Sequence, residues 1–248
     1  MPEPSATTGP ASRISPAYAR IRELIARDEP VILDGANATE LERRGQAGGD
    51  LRNASDAGLW GTHALYHNPY AVLDVHRSYV AAGVDVLTTD TWAILAAAEL
   101  EAGGLVGRPG STHWMDVARL ALRLARQAVE EAGRTGEVAV AFSVNGDIDS
   151  EERRRTLELL LRVLDEDPPD LLFLETMQLV REPLTFETVE TALATGIPVW
   201  LSFRRCRHGV CGVYGQHWGG PEGDLFGRAA RRFEQLGVEA LLVNCLPP

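Results

Sequence analysis

Apolar residues in this chain gather in short, nearly continuous runs: "PVILDG" (30–35), "VDVLTTD" (84–90), "EVAVAFSV" (137–144), "DLLFLET" (170–176), "PVWLSF" (198–203) and "ALLVNC" (240–245). Runs of this length without polar alternation predict strands buried on both faces of a parallel sheet. Between them the apolar positions change to helical spacing. Val72, Val75, His76, Tyr79 and Val80 share one face of 69–83, Val117, Leu120, Leu124 and Val129 share one face of 114–133, and both stretches end on glycine. A Ser N-cap and an acidic first turn open 150–167, which stops before Pro168–Pro169, and 182–196 and 223–237 repeat the arrangement.

The βα alternation predicts an α/β fold, either a doubly wound sheet or a TIM (β/α)8-type barrel. No GxGxxG follows the first strand, which lowers the dinucleotide-binding option and favours the barrel. About six βα units are legible where a closed barrel needs eight, so the barrel is expected to be C-terminally incomplete. No linker divides the chain after residue 30, and residues 17–248 are read as a single domain. Residues 1–16 are rich in Pro, Ser, Thr and Ala and lack the apolar segment of a secretion signal, so they are expected to form a flexible leader of a cytoplasmic protein.

Composition then removes several classes of function. The net charge of −11 is spread over both halves without a basic stripe, which argues against nucleic acid and anionic membrane as partners. No apolar stretch approaches the length that spans a bilayer. Three cysteines, an odd number, argue for reduced thiols over a disulfide framework. Every basic side chain apart from His is Arg; without a Lys there is no Schiff-base chemistry, pyridoxal phosphate anchor or P-loop lysine.

Candidate chemistry clusters just after strands, where barrels place it. Asp34 and Glu175 each follow a strand and together suit a substrate ammonium group, although either acid alone is equally read as a cap or loop brace. Thr88, Thr89 and Thr91 bring hydroxyls to the next strand end, where β-branched residues are also ordinary strand chemistry. Cys245 ends the last run and is either a small buried residue or a metal ligand. Cys206, His208 and Cys211 in "CRHGVC" make a second candidate for a rearranged metal site, against the plainer reading of an Arg-rich loop with incidental cysteines. His76 reads as a packed, hydrogen-bonded core histidine, and Trp60, Trp92 and Trp200 as volume fillers that could line a pocket.

Several of these segments together resemble the homocysteine S-methyltransferase family. The likeness runs through "VILDGANATELERRG", "GLWGTHALYHNPYAVLDVHRSYVAAGVDVLTTDTW", "DLLFLETM", "GIPVWLSF" and "VNCLPP", over roughly residues 30–248. The resemblance implies a zinc-dependent barrel that transfers a methyl group from a small donor to the thiol of homocysteine, giving methionine. It implies that Asp34, Gly35, Thr89, Glu175 and Asn244 bind the amino acid and that Cys245 supplies one of three zinc thiolates, with Cys206 and Cys211 as further candidates. In the family the other two thiolates come from a Gly-Gly-Cys-Cys segment that this sequence lacks. Three explanations stay open: a fragmentary chain, a complementing chain, or loss of the metal in a non-catalytic or partner-dependent binding subunit. An open sheet edge further predicts association, as a homo-oligomer or with that complementing chain.

Other positions depart from the family pattern. Ala36 stands where a second glycine is usual, and a Cβ there restricts positive φ. Asp90 replaces an expected Asn and adds negative charge to the mouth. "FSVNGDIDSEERRR" stands in place of a Gly-rich loop on the donor side.

Overall fold

The sheet is built from the runs just described. A computed structural model describes residues 13–46, 58–103, 113–177, 180–206, 209–210 and 225–244. In chain order these form α1 (Pro16–Ala26), α2 (Asn37–Arg43), a 3-10 turn (Trp60–Thr62), α3 (His63–His67), α4 (Pro69–Ala82), β1 (Val86–Thr88), α5 (Ile94–Ala102) and α6 (Trp114–Glu131). There follow β2 (Ala139–Asn145), α7 (Glu151–Glu166), β3 (Leu171–Met177), α8 (Leu184–Leu193), β4 (Val199–Cys206), β5 (Gly209–Val210), α9 (Leu225–Leu236) and β6 (Ala240–Asn244).

The main strands pair in the order β1-β2-β3-β4-β6, all parallel, and β5 adds a short antiparallel hairpin to β4. Each crossover moves to the next position in the same direction, as in a barrel; a doubly wound sheet reverses its order at a switch point. The architecture is an α/β fold with a parallel sheet, consistent with a partial TIM-type barrel.

The run at 30–35, expected to be the first strand, does not form one. It lies beside β1 but makes only one bridge, Leu33 to Val86. Side chains have taken over ladder positions on either side of that bridge. The Asp85 carboxylate accepts from the Ile32 N–H at 2.9 Å, and the Asp34 carboxylate accepts from the Thr88 N–H at 2.8 Å. A ladder whose donors are claimed by carboxylates does not extend.

The two faces of the sheet bury different cores. Leu87, Val140, Phe142, Leu172, Leu174, Val199, Leu201 and Phe203 face the helices. Val86, Ala139, Ala141, Leu171, Phe173 and Trp200 face the other way and are covered by Ala17, Tyr18, Ile21 and Leu24 of α1. Helix α1 was not foreseen in the sequence. Ser15 caps it by accepting from the Tyr18 N–H, and Pro16 occupies its first turn.

Polar clamps then fix α1 across the sheet. Arg20 bonds Asp85 at 2.8 Å, Arg22 bonds both oxygens of Glu239, and the Tyr18 hydroxyl donates to Glu239 at 3.0 Å while accepting from Trp200 Nε1 at 2.7 Å. The stretch expected as a leader reaches this region too: Arg13 donates its backbone N–H to the Gly196 carbonyl and pairs with Asp165. Residues 1–12 lie outside the described residues. With the strand N-terminal ends covered, chemistry is left to their C-terminal ends.

Candidate functional site

Two residues beyond the last apolar side chain on the inner face, the strands turn polar. Val86 is followed by Thr88, Ala141 by Ser143, Phe173 by Glu175, Trp200 by Ser202 and Leu242 by Asn244. Because side chains alternate with period 2, these residues point to the same interior, one layer above α1. The apolar runs predicted the layer below; of the polar layer, Thr88, Glu175 and Asn244 were singled out in the sequence.

Asp34 joins this layer through Thr88. The Thr88 hydroxyl lies 3.0 Å from each Asp34 oxygen, and Asn37 Nδ2 donates to the Thr88 hydroxyl and carbonyl at 3.1 and 3.2 Å. Gly35 is a close approach: a Cβ there would meet the Tyr79 hydroxyl at 2.7 Å. Ala36, by contrast, adopts φ −70 and ψ 98, open to any L-residue, so the second glycine of the family pattern is not required by this backbone.

Glu175 is held from two sides. Ser143 Oγ donates to its Oε1 at 2.5 Å, and Asn244 Nδ2 lies 3.4 Å from Oε2 while donating to Thr176 Oγ1 at 2.9 Å. The same Thr176 hydroxyl accepts from Trp92 Nε1 at 3.2 Å, and the Thr176 N–H donates to Ser202 Oγ at 3.1 Å. Thr176 has φ +61, a costly conformation for a β-branched residue, where β3 shifts register against β4. This kink aims Glu175 and Thr176 at their partners, and the sequence carried no signal for it.

Thr89 occupies a less exposed position than its neighbours suggested. Thr91 donates to the Ser143 carbonyl at 2.6 Å, so the 2.5 Å contact between the two hydroxyls is Thr89 donating to Thr91, while Thr89 Oγ1 accepts from the Ser143 N–H at 3.1 Å. Both threonines therefore brace the segment that presents Ser143 to Glu175.

Charge in this layer has one sign. Burial pushes Asp34 up to about 7, against the hydrogen bonds from Thr88 and with the help of Glu175. Burial also raises Glu175, opposed by the bond from Ser143, and pushes Asp90 up to about 7 with Glu175 adding to it. The nearby arginines spend their charge on other carboxylates, Arg20 on Asp85 and Arg181 on Asp147. Such a set of carboxyls is costly without a counter-charge, and a bound cation supplies one.

The remaining candidates fall elsewhere. His76 is fully buried in the helix-side core, as expected, but neither ring nitrogen has a hydrogen-bond partner, which corrects the expectation of a bonded histidine. Trp200 packs against Tyr18 and Phe173 at the covered end of the strands. Trp92 stands at the mouth, with Trp60 edge-on to it at 6.5 Å. Cys206 ends β4, where it pairs with Gly209 in the short hairpin, while His208, Cys211 and Cys245 lie outside the described residues. Among the described residues no group of three or more His, Cys, Asp or Glu is placed to hold a metal. The described residues alone therefore do not make the zinc site that the resemblance implies.

A parallel α/β chain with a layer of buried carboxyls at its strand C-terminal ends is arranged as barrel-type folds arrange their ligand sites. Comparison with known proteins names the family. A family model described as homocysteine S-methyltransferase matches residues 31–248, and the chain belongs to that family. It is similar to betaine–homocysteine S-methyltransferase 1 of Mus musculus, at 28% identity over 234 residues, covering 91% of this chain and 50% of that protein. It is also similar to homocysteine S-methyltransferase of Escherichia coli (strain K12), at 30% identity over 135 residues, covering 50% of this chain and 37% of that one. A third relative, S-methylmethionine–homocysteine S-methyltransferase of Rattus norvegicus, is 27% identical over 231 residues, covering 91% and 54%. The chain thus spans about half the length of the mouse and rat relatives.

Proposed function

We propose that the polar layer binds homocysteine and serves transfer of a methyl group to its thiol. The observation that carries this reading is the pair Asp34 and Glu175, each held by a strand hydroxyl and each pushed toward its neutral form by burial. The ammonium group of the amino acid fits between them, and its charge would draw both carboxyls back toward ionisation.

The other residues act around that contact. Gly35 keeps the Tyr79 hydroxyl close to Asp34, Thr89 holds Ser143 in place, and Asn244 turns its amide N–H toward Glu175 and leaves Oδ1 without a partner for the ligand. Methyl transfer then forms one S–C bond as the donor's bond to the same carbon breaks, and alignment of donor and thiolate is the protein's main contribution. Zinc, when bound, would hold the sulfur as thiolate. Cys245, next after Asn244, would be its first ligand, with Cys206 and Cys211 as further candidates. The reading places the chain in a (β/α)8 barrel of a cytoplasmic enzyme, of which it contributes about six units.

Calorimetric titration with homocysteine, with and without zinc, tests the reading. Saturable binding that weakens in Asp34→Asn and Glu175→Gln is expected. Absence of binding under both conditions overturns it.

A further inference from the structure

We propose that Thr176 is a positioning residue for the amino-acid substrate, its hydroxyl setting which way the Asn244 amide faces Glu175. The inference rests on the functional reading above and names the residue that orders one end of its site.

Among the described residues three other than glycine have positive φ: Asp28, Trp60 and Thr176. Thr176 is the one that is β-branched and lies within a strand, where that conformation is least favourable. Its effect is visible along β3. Leu172 and Leu174 pack in the helix-side core while Leu171 and Phe173 face α1, as a strand requires. Continued, that alternation would send Thr176 toward the helices and Met177 to the interior. Instead Met177 joins the helix-side core only three residues after Leu174, and the Thr176 hydroxyl reaches Asn244 of β6 and Trp92 beyond β1. The φ of +61 thus brings two consecutive side chains, Glu175 and Thr176, into the polar layer. A glycine would take the same φ without strain but would bring no hydroxyl.

That hydroxyl is spent on orientation. A threonine oxygen accepts two hydrogen bonds, and here Asn244 Nδ2 supplies one at 2.9 Å and Trp92 Nε1 the other at 3.2 Å. The Thr176 N–H is tied in turn to Ser202 Oγ at 3.1 Å. Asn244 Nδ2 lies 3.4 Å from Glu175 Oε2, so the shorter bond, to Thr176, is the one that holds the amide. A reversed amide would set Oδ1 against the Glu175 carboxyl and turn the N–H away from it. Without the Thr176 oxygen, only the long contact to Glu175 opposes that reversal, and a site divided between two orientations binds its ligand less tightly than one held in the competent state.

The test is calorimetric titration with homocysteine of Thr176 variants, with and without Asn244→Ala. Thr176→Val keeps the shape and loses the hydroxyl, and should bind about tenfold more weakly, while Thr176→Ser should stay within about twofold of the native protein. If Thr176→Val misfolds, Thr176→Gly replaces it, since glycine adopts φ +61 freely, and should show the same loss. Because Thr176 acts through Asn244, removing its hydroxyl in the Asn244→Ala protein should cost no more than about twofold further, whereas an independent contribution would add in full. Native affinity in the folded Thr176→Val or Thr176→Gly protein, a loss in Thr176→Ser equal to theirs, or full additivity with Asn244→Ala overturns the proposal. Failure of the native protein to bind homocysteine is the separate result that overturns the functional reading.

Discussion

The Thr88 hydroxyl lies 3.0 Å from each carboxylate oxygen of Asp34, while the Thr88 backbone N–H donates to one of them at 2.8 Å. One residue of β1 therefore fixes a carboxyl that belongs to the neighbouring segment, and the hydroxyl half of this grip can be removed without touching the backbone half.

Thr88→Val should weaken homocysteine binding by about tenfold, the loss of one charge-assisted hydrogen bond. The pH dependence should move with it. Asp34, at about 7, accepts the ammonium only when ionised, so affinity rises as pH increases through that value. Without the Thr88 hydroxyl, which lowers the Asp34 pKa, the rise should shift to higher pH. Titrations from about pH 5 to about pH 9 measure both effects. An unchanged affinity and midpoint would show that the ammonium does not sit at Asp34.

At the covered end of the strands the expectation is the reverse. Tyr18→Phe leaves the Trp200 indole N–H and one Glu239 oxygen without this partner, at a cost of about 1–3 kcal/mol in denaturant unfolding. Homocysteine affinity should stay unchanged, since the polar layer lies at the other end of the strands. A loss of affinity matching that at Thr88 would contradict this division.

His76 sets an acid limit on stability. Burial lowers its pKa from 6.5 to about 4, so between these values the unfolded chain binds more protons than the folded one. Its contribution is complete above 6.5 and is lost as pH falls toward 4, by about 3 kcal/mol in all. Asp34 and Asp90 act with the opposite sign, because their raised folded values cost stability as pH rises from about 4 to about 7. His76→Leu should therefore retain more stability than the native chain when both are taken from pH 7 to about pH 4.5, read by chemical denaturation. Parallel losses in the two proteins would remove His76 as the cause.

Local pattern carried the fold further than it carried the site. Unbroken apolar runs announced β1, β2, β3, β4 and β6 to within a few residues, because burial on both faces leaves no other composition. The run at 30–35 misled for a reason invisible along the chain: Asp85 and Asp34 claim the ladder donors across a separation of more than 50 residues. Glu175 and Asn244 were legible as polar residues at strand ends. The partners of Ser143, Thr176 and Ser202 were not, since a hydroxyl in an apolar run gives no sign of what it will bond. Thr89 shows the converse, a residue singled out by its motif whose hydroxyl serves the backbone of β2.

The central claim is that Asp34 and Glu175 recognise the amino group of the substrate. Titrating homocysteine against 4-mercaptobutanoate, which keeps the thiol and the carboxylate but lacks the amine, addresses it most directly. A preference for homocysteine of about a hundredfold, reduced to a few-fold in the Asp34→Asn, Glu175→Gln double variant, is the predicted result. Equal affinity of the native protein for the two ligands would contradict it.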